Sequence, residues 1–420
     1  MKKLIIPFIL SCFFFTFFIG QIQSVYDRVA PQILYLSIVN FTSLIYVFYK
    51  LSIKDIVSCV KENKSFIFYA AYILISGISI IAADNKVEAI VTYSKYFTYF
   101  TTFLIVLIII KSYKFNFRDF FLKIVIISIT IESFMVLYSI IDSVIINGTP
   151  FFRNNNFRGL SGNINITAFS LAAKAPVILY FIFNEQKKIR LTVTYVLFFM
   201  TCSSLFFLLT RGAFVAFLFV LGLIFIYKLI RDFKSSILKI LLSIGVFIMS
   251  FQSTTLIMNS NESNLIVDRV SSITLDNSDE SINQRLRYYS HSLKMISKNP
   301  VIGIGIGNWK IESIKYDGKY MTEYIVPYYA HNDFLQIGAE TGILGMLFYI
   351  AFMFTPLLIV LKKIYLSKET FFEITLLAIL SVCIIDSLLN FPVGRPISHV
   401  LLIFLIVLFN EVNLNHKTKK

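Results

Sequence analysis

The sequence predicts an all-α, multi-pass membrane protein: about twelve membrane-spanning helices and one large loop on the outer side. Three observations carry that expectation. Of the 420 residues, 57% are hydrophobic and 15% charged, against about 45–50% and about 25% in an ordinary soluble domain. The apolar residues, 44 Phe among them, fall into long runs, and the mean hydropathy is +0.75. Basic residues collect in every second connection between those runs. A soluble globule could not hide this much apolar surface. In a membrane protein the net charge of +15 speaks first of topology rather than of nucleic acid.

A bilayer core takes about 20 mostly apolar residues per helix. Twelve segments meet that length, at roughly 4–20, 30–49, 66–83, 92–110, 120–146, 166–183, 191–209, 212–227, 236–252, 335–361, 371–389 and 397–412. Met1-Lys2-Lys3 before the first resembles the start of a signal peptide. Gly20-Gln21-Ile22-Gln23 is a poor cleavage site, so the run reads as an uncleaved first helix. No period of 20–50 residues repeats, which excludes a solenoid. Cys12, Cys59, Cys202 and Cys383 have neither metal-ligand spacing nor the pattern of a disulfide framework.

The connections test the count. If Lys2 and Lys3 are cytoplasmic, every second loop should be basic. Those loops and their edges hold Lys50, Lys54, Lys61 and Lys64, then Lys111, Lys114, Arg118 and Lys123, then Lys187, Lys188 and Arg190. Further on come Lys228, Arg231, Lys234 and Lys239, then Lys362, Lys363 and Lys368, then Lys417, Lys419 and Lys420. With Lys2 and Lys3 this makes 23 basic residues. The short loops of the other side hold 6: Arg28, Lys86, Arg153, Arg158, Arg211 and Arg395. Lys and Arg hold loops on the cytoplasmic side, so both termini are expected there. The chain divides into 1–252 (helices one to nine), 253–334 (the large outer loop, with an amphipathic helix near 282–298) and 335–420 (helices ten to twelve and a tail).

The outer loop opens on polar, turn-like residues and then becomes dense in aromatic and basic ones. Long structured loops are usually functional. Ser281-Ile282-Asn283-Gln284 fits a capping box that would start a helix at about 282. Ile282, Leu286, Tyr289, Leu293 and Ile296 then fall within about 40° of one direction, with Arg287, His291, Lys294 and Lys298 opposite. This describes a helix lying on the membrane surface. Arg285 borders its apolar face. It either snorkels or aims its planar fork at a lipid phosphate.

Two more runs could carry chemistry. In Ala330-His331-Asn332-Asp333-Phe334-Leu335-Gln336, Asp333 with Gln336 looks like a helix start, and His331 precedes it. Helix N-termini attract anions, and histidine exchanges protons near neutral pH. Asn332 and Asp333 beside it are candidate supporting residues, as is Lys174 in the sixth segment. Thr210-Arg211-Gly212 makes a tight outer turn, where basic residues are otherwise scarce. Either His331 or Arg211 could instead be purely structural. Gly303-Ile304-Gly305-Ile306-Gly307 resembles part of a dinucleotide fingerprint but lacks the βαβ context. Lys95, Glu132, Lys174 and Asp386 lie within predicted spans, where ionisable groups are costly: Lys95 is placed to snorkel, and the others line a cavity or pair with one another.

Together and in this order, these runs resemble the O-antigen ligase and polymerase family of bacterial membrane glycosyltransferases, best over about 150–350. The most specific part is Arg285-Leu286-Arg287-Tyr288-Tyr289 with Pro300 through Trp309, then Ala330 through Gln336, then Glu340-Thr341-Gly342-Ile343-Leu344-Gly345. Thr210-Arg211-Gly212 is similar to the family's Ser/Thr-Arg-Gly. Two departures stand out: Tyr289 where the family usually has Trp, and Ile164 in Gly162-Asn163-Ile164-Asn165 where it has Pro.

The resemblance implies a GT-C-like bundle in the bacterial inner membrane with one large periplasmic loop. It implies a glycan donor on undecaprenyl pyrophosphate and inverting transfer without metal or other cofactor. Arg211 and Arg285 match the family's essential arginines and would bind the donor pyrophosphate; His331 matches its essential histidine. The acceptor could be lipid A–core (ligase), another glycan (polymerase) or a protein hydroxyl (O-oligosaccharyltransferase). Besides donor and acceptor, the expected partners are membrane lipids, not nucleic acid. A lipid-linked glycan flippase or other transporter would show inverted repeats and broken midplane helices, which the sequence lacks.

Overall fold

The computed structural model describes residues 2–20, 28–61, 63–148, 159–258, 280–318, 327–366 and 368–417, without side chains for 2–3, 280–281 and 411–417. Within them all regular structure is helical. The order is α1 (Lys2–Phe15), α2 (Ala30–Lys50), α3 (Ile53–Lys61), α4 (Lys64–Ser79), α5 (Lys86–Ser112), α6 (Phe117–Ile140) and α7 (Ile164–Asn184). There follow α8 (Lys188–Leu208), α9 (Arg211–Met258), α10 (Glu280–Lys298), α11 (Trp309–Asp317), α12 (Asp333–Tyr365), α13 (Phe371–Leu389) and α14 (Pro396–Lys417). A π-helical turn, Ile141–Ile146, prolongs α6.

All twelve apolar segments lie in helices. Nine helices of the described residues are long and apolar enough to cross a membrane; Leu4–Phe18 and Pro396–Asn410 are shorter apolar ones. Segments 212–227 and 236–252 arrive as one element, α9, broken at Asp232 (φ −141°, ψ 50°). The chain doubles back there. Phe206 of α8 packs on Phe214 from the first half of α9 and on Phe247 and Phe251 from the second. Arg231 pairs with Glu369, and the Lys228 ammonium lies 4.0 Å from the centre of the Phe371 ring. The break thus sits beside the start of α13.

Caps explain where helices begin. Side chains of Asn63, Asn85, Asn116, Asn163 and Asn332 each accept a backbone N–H at the start of α4, α5, α6, α7 and α12, and Thr370 with Glu373 closes a capping box on α13. On α2 the exposed residues Leu34, Ile38, Phe41, Ile45 and Phe48 form one apolar stripe, as expected of a face turned to lipid. Helix α7 is the opposite case. It packs against α6, α8, α9 and α13, and its Ala168, Ala172, Ala173 and Ala175 let neighbouring backbones come close. Within it, Lys174 is fully buried. Its ammonium pairs with Glu132 at 2.9 Å, donates to Ser128 at 2.9 Å and lies 4.0 Å from the centre of the Phe17 ring.

The long connection folds onto the bundle. Helix α10 packs on α12 and α11, and Tyr288, Met295, Ile296, Trp309, Ala330 and Ala339 form a small separate core. The amphipathic helix near 282–298 is therefore present as Glu280–Lys298. Its expected polar face is solvated only in part: Lys294 and Lys298 are exposed. Arg287 reaches Asp317 at 2.6 Å, and His291 is buried. Sequence periodicity reports one apolar stripe, whereas this helix has covered contacts on α11 and α12 and still exposes Leu286 and Leu293. Gln284 donates to the Tyr288 hydroxyl at 2.7 Å. The capping hydroxyl expected from Ser281 lies outside the described residues, as do Arg153, Arg158, residues 259–279 and Lys319.

The glycine run is a clamp rather than a nucleotide loop. Ile304 and Gly305 donate their N–H groups to the carbonyls of Ala339 and Glu340, at 2.9 and 3.0 Å, and Ile306 donates to Ser79 Oγ at 3.1 Å. Gly305 has φ +93°, and a Cβ there would press on Ala83. Only glycine fits both conditions. Gly342 (φ 76°, ψ 178°) breaks α12 where Ile343 donates to the Pro300 carbonyl.

Candidate functional site

Helix N-termini gather at one end of the bundle. His331, Arg395, Asn163, Asn165, Asp386 and Asn390 line a cleft that opens to its surroundings. Asn163 caps α7. His331 directly precedes Asn332, the cap of α12, whose Oδ1 accepts the Leu335 N–H at 3.1 Å. Arg395 precedes Pro396, the first residue of α14, and its carbonyl accepts the His399 N–H. A fourth N-terminus, that of α9, adjoins them: Thr210 Oγ1 donates to Asn165 Oδ1 at 3.3 Å, and Arg211 follows at once. Free N–H groups and aligned helix dipoles make such a meeting place positive.

Two local conformations mark the place. Leu209 (φ 47°) and His331 (φ 56°) are the two non-glycine residues with positive φ among the described residues. One precedes Thr210-Arg211 and the other is the candidate histidine. Such backbones cost of order 1–3 kcal/mol each and persist only where the surroundings enforce them. At His331 the enforcement is visible. Gln336 accepts the Ala330 N–H at 3.1 Å and donates to Glu340 at 3.2 Å, and Glu340 accepts the Trp309 N–H at 3.3 Å. Trp309 Nε1 donates to Ser292 at 2.9 Å, so the chain around His331 is tied to α10. Asp333 accepts the Val393 N–H at 3.0 Å, fixing the 392–394 turn that leads to Arg395.

The His331 ring stands edge-on to Phe391 (centroids 5.1 Å, 80° between planes) and near-parallel to Tyr288 (6.4 Å, 16°). Its Nδ1 is buried without a hydrogen-bond partner. Burial, and after it the positive charges of Arg285 and Arg395, hold its pKa down at about 4. His331 is thus neutral at pH 7 and able to accept a hydrogen bond. Tyr289 supports the same strand of structure: its hydroxyl donates to the carbonyls of His331 (3.0 Å) and Leu388 (2.9 Å). Burial pushes the Tyr289 hydroxyl pKa up, with Arg285 acting the other way.

Of the residues picked out from the sequence, the structure brings Arg285 close enough to His331 for its charge to act on the ring. It sets Arg211 at the helix end touching Asn165. Asn332 and Asp333 serve as cap and clamp at the same spot. The start of α12 falls one residue earlier than expected, because Asn332 caps while the Gln336 amide turns to Ala330. Lys174 is not among the cleft's lining residues, since its charge meets Glu132 inside the bundle. Asp386 lines the cleft, and its Oδ1 accepts from Asn390 Nδ2 at 2.8 Å.

Arg395, Asn390 and Phe391 are the residues that motif reading passed over. One signal was available: Arg395 belongs with Arg211 to the few basic residues of the short loops that the charge pattern assigns to the outer side.

Comparison with known proteins agrees with the motif reading over part of the chain. No curated protein matches the sequence. Residues 196–350 match the family model described as O-antigen ligase, a span running from α8 into α12. The region that holds Arg211, Arg285 and His331 is therefore similar to the O-antigen ligase family, on a chain rich in helices fit to cross a membrane.

Proposed function

We propose that this protein transfers a glycan from an undecaprenyl-pyrophosphate carrier to an acceptor hydroxyl, at the periplasmic face of the bacterial inner membrane. Twelve membrane crossings, both termini in the cytoplasm and the 253–334 loop outside complete the topology. Surface polysaccharide ligation to lipid A–core is the preferred reaction, on the strength of the O-antigen ligase match. The observation that carries the reading is the cleft itself, where a neutral histidine lies under the influence of arginine charges at a meeting of helix N-termini. Such a site suits a phosphate-bearing donor and a neutral hydroxyl acceptor.

In this reading the acceptor oxygen attacks the anomeric carbon. The bond from that carbon to the pyrophosphate oxygen breaks, and undecaprenyl pyrophosphate leaves with the bonding electrons. A single displacement inverts the configuration. Arg211 and Arg285 stabilise the growing charge on the leaving group, in the role a metal ion plays elsewhere. His331 orients the acceptor hydroxyl and accepts its proton. A base with a pKa near 4 is weak, but part of that depression comes from arginine charge. A bound diphosphate offsets the charge and makes His331 more basic only when the donor is in place.

A strain lacking the protein tests the reading. Uncapped core with accumulated lipid-linked polymer is the expected result. Core capped by a single repeat would assign a polymerase, and altered glycoprotein mobility with intact lipopolysaccharide would assign protein glycosylation. No change in any surface glycan would overturn the transfer reading. Arg211→Ala, Arg285→Ala and His331→Ala should each abolish transfer while the protein still inserts in the membrane. Full activity in all three would remove the site assignment.

A further inference from the structure

Arg395 is an arginine in an awkward place. It precedes the first residue of α14, at the positive end of that helix, where a cation is disfavoured. It is partly buried, and no acidic side chain lies within 4.0 Å of it among the described residues. Asp386 is the acidic residue whose charge acts on it, yet Oδ1 of that carboxylate already accepts from Asn390. The Arg395 Nε is buried without a hydrogen-bond partner. What holds the side chain is Phe391, whose ring centre lies 4.4 Å from the guanidinium and which stacks on Tyr329 at 4.0 Å. A cation–π contact orients a guanidinium but leaves its in-plane N–H donors unused.

The guanidinium and the His331 ring both sit against Phe391, and both line the same cleft. Polar amides of Asn163, Asn165 and Asn390 share its lining with Ile166 and Pro392; Asp386 is the acid there. A desolvated cation without an acidic ion-pair partner fits a site for an external anion. Arginine matches two phosphate oxygens at once, which lysine does not.

We infer that Arg395 is a further phosphate-binding arginine beside the proposed Arg211 and Arg285, taking a phosphate oxygen of the lipid-linked diphosphate next to His331 in this cleft. The inference rests on the donor class proposed above. It adds a residue from outside the region that matches the family model. It also gives the cleft a preference for diphosphate over monophosphate, because an added guanidinium can engage the second phosphate that a monophosphate lacks.

The test is binding of farnesyl pyrophosphate and farnesyl monophosphate to the purified full-length protein in nanodiscs. Arg395→Gln should weaken the diphosphate by about 10- to 100-fold, as expected for loss of a charge-assisted pair, and the monophosphate by much less. Arg395→Lys keeps the charge but loses the fork, and should fall between. In a transfer assay the Gln variant should raise the donor KM, since the phosphates are bound in the ground state as well. Thermal unfolding of each variant separates a lost anchor on Phe391 from a lost ligand contact. If wild-type protein binds the diphosphate and both variants bind it equally well, Arg395 has no such role and the proposed function stands. If only the Gln variant fails to fold, undiminished binding by Arg395→Lys overturns the inference. If wild-type protein binds neither probe, the donor class itself is wrong and both readings fall.

Discussion

Replacing Lys174 by Met should destabilise the bundle by about 3–5 kcal/mol, a large share of the roughly 5–15 kcal/mol that holds a typical domain folded. Lys174 is fully buried and the Glu132 side chain is 6% exposed, with 2.9 Å between charges. Methionine has nearly the same length and fills the space. The cost therefore lies in stranding the Glu132 carboxylate, to which Ser170 still donates. The double variant Lys174→Met/Glu132→Leu removes the stranded charge and should recover most of the loss, or exceed wild type by about 1–4 kcal/mol. Circular dichroism during denaturant titration in detergent measures both. A single variant within about 0.5 kcal/mol of wild type, the range of an ordinary surface change, would refute the buried pair. The same experiment tests the sequence-based expectation that Lys174 supports the site. A stability loss with transfer intact in the folded fraction assigns the residue to the scaffold alone.

Other outcomes follow from the site and its supports. His331 lowers stability as pH falls from about 6.5 to about 4, because the unfolded chain takes up a proton there that the folded chain refuses. The effect is of order 2 kcal/mol once its partial exposure is allowed for. His331→Gln should flatten that part of the stability–pH curve, and histidine NMR should find the wild-type ring neutral at pH 5.5. Tyr289→Phe removes the donor to two carbonyls and should cost about 1–2 kcal/mol, with faster amide exchange at the start of α12. Asp317→Ala removes the ion pair that joins Arg287 of α10 to α11 and should loosen α11 from α10, read as raised exchange over 309–317. Gly305→Ala meets both a positive φ and the Ala83 contact. It should cost more than about 1 kcal/mol, seen as earlier quenching of the single tryptophan, Trp309.

The helices were legible because a bilayer demands long apolar runs, and period and length are written directly in the residues. The hairpin inside α9 was legible for the same reason: Lys228, Arg231 and Lys234 interrupt the run where the chain turns. The covering of Arg287 and His291 on α10 was not legible, since one helix's wheel does not say how many neighbours it will have; Asp317 is 30 residues from Arg287. At the site, Arg285 and His331 announced themselves through unusual positions. Arg395 did not. Its meaning depends on Phe391 and on a cleft assembled from α7, α12, α13 and α14, which lie far apart in the chain. The role of Glu340 was hidden too, because a carboxylate linking Gln336 to the Trp309 backbone is a fact of three dimensions.

The bond from Tyr289 has a mechanical meaning. One hydroxyl proton is shared between the carbonyls of His331 and Leu388, which belong to different elements. Helix α10 therefore cannot slide along its own axis without letting go of both at once, and it carries Arg285 with it. The same helix shows Leu286 and Leu293 to its surroundings. Whatever medium those leucines rest against has a lever on the register of the cleft. Changes in the thickness or order of the surrounding lipid would reach His331 through this bond and through the Trp309–Ser292 tie.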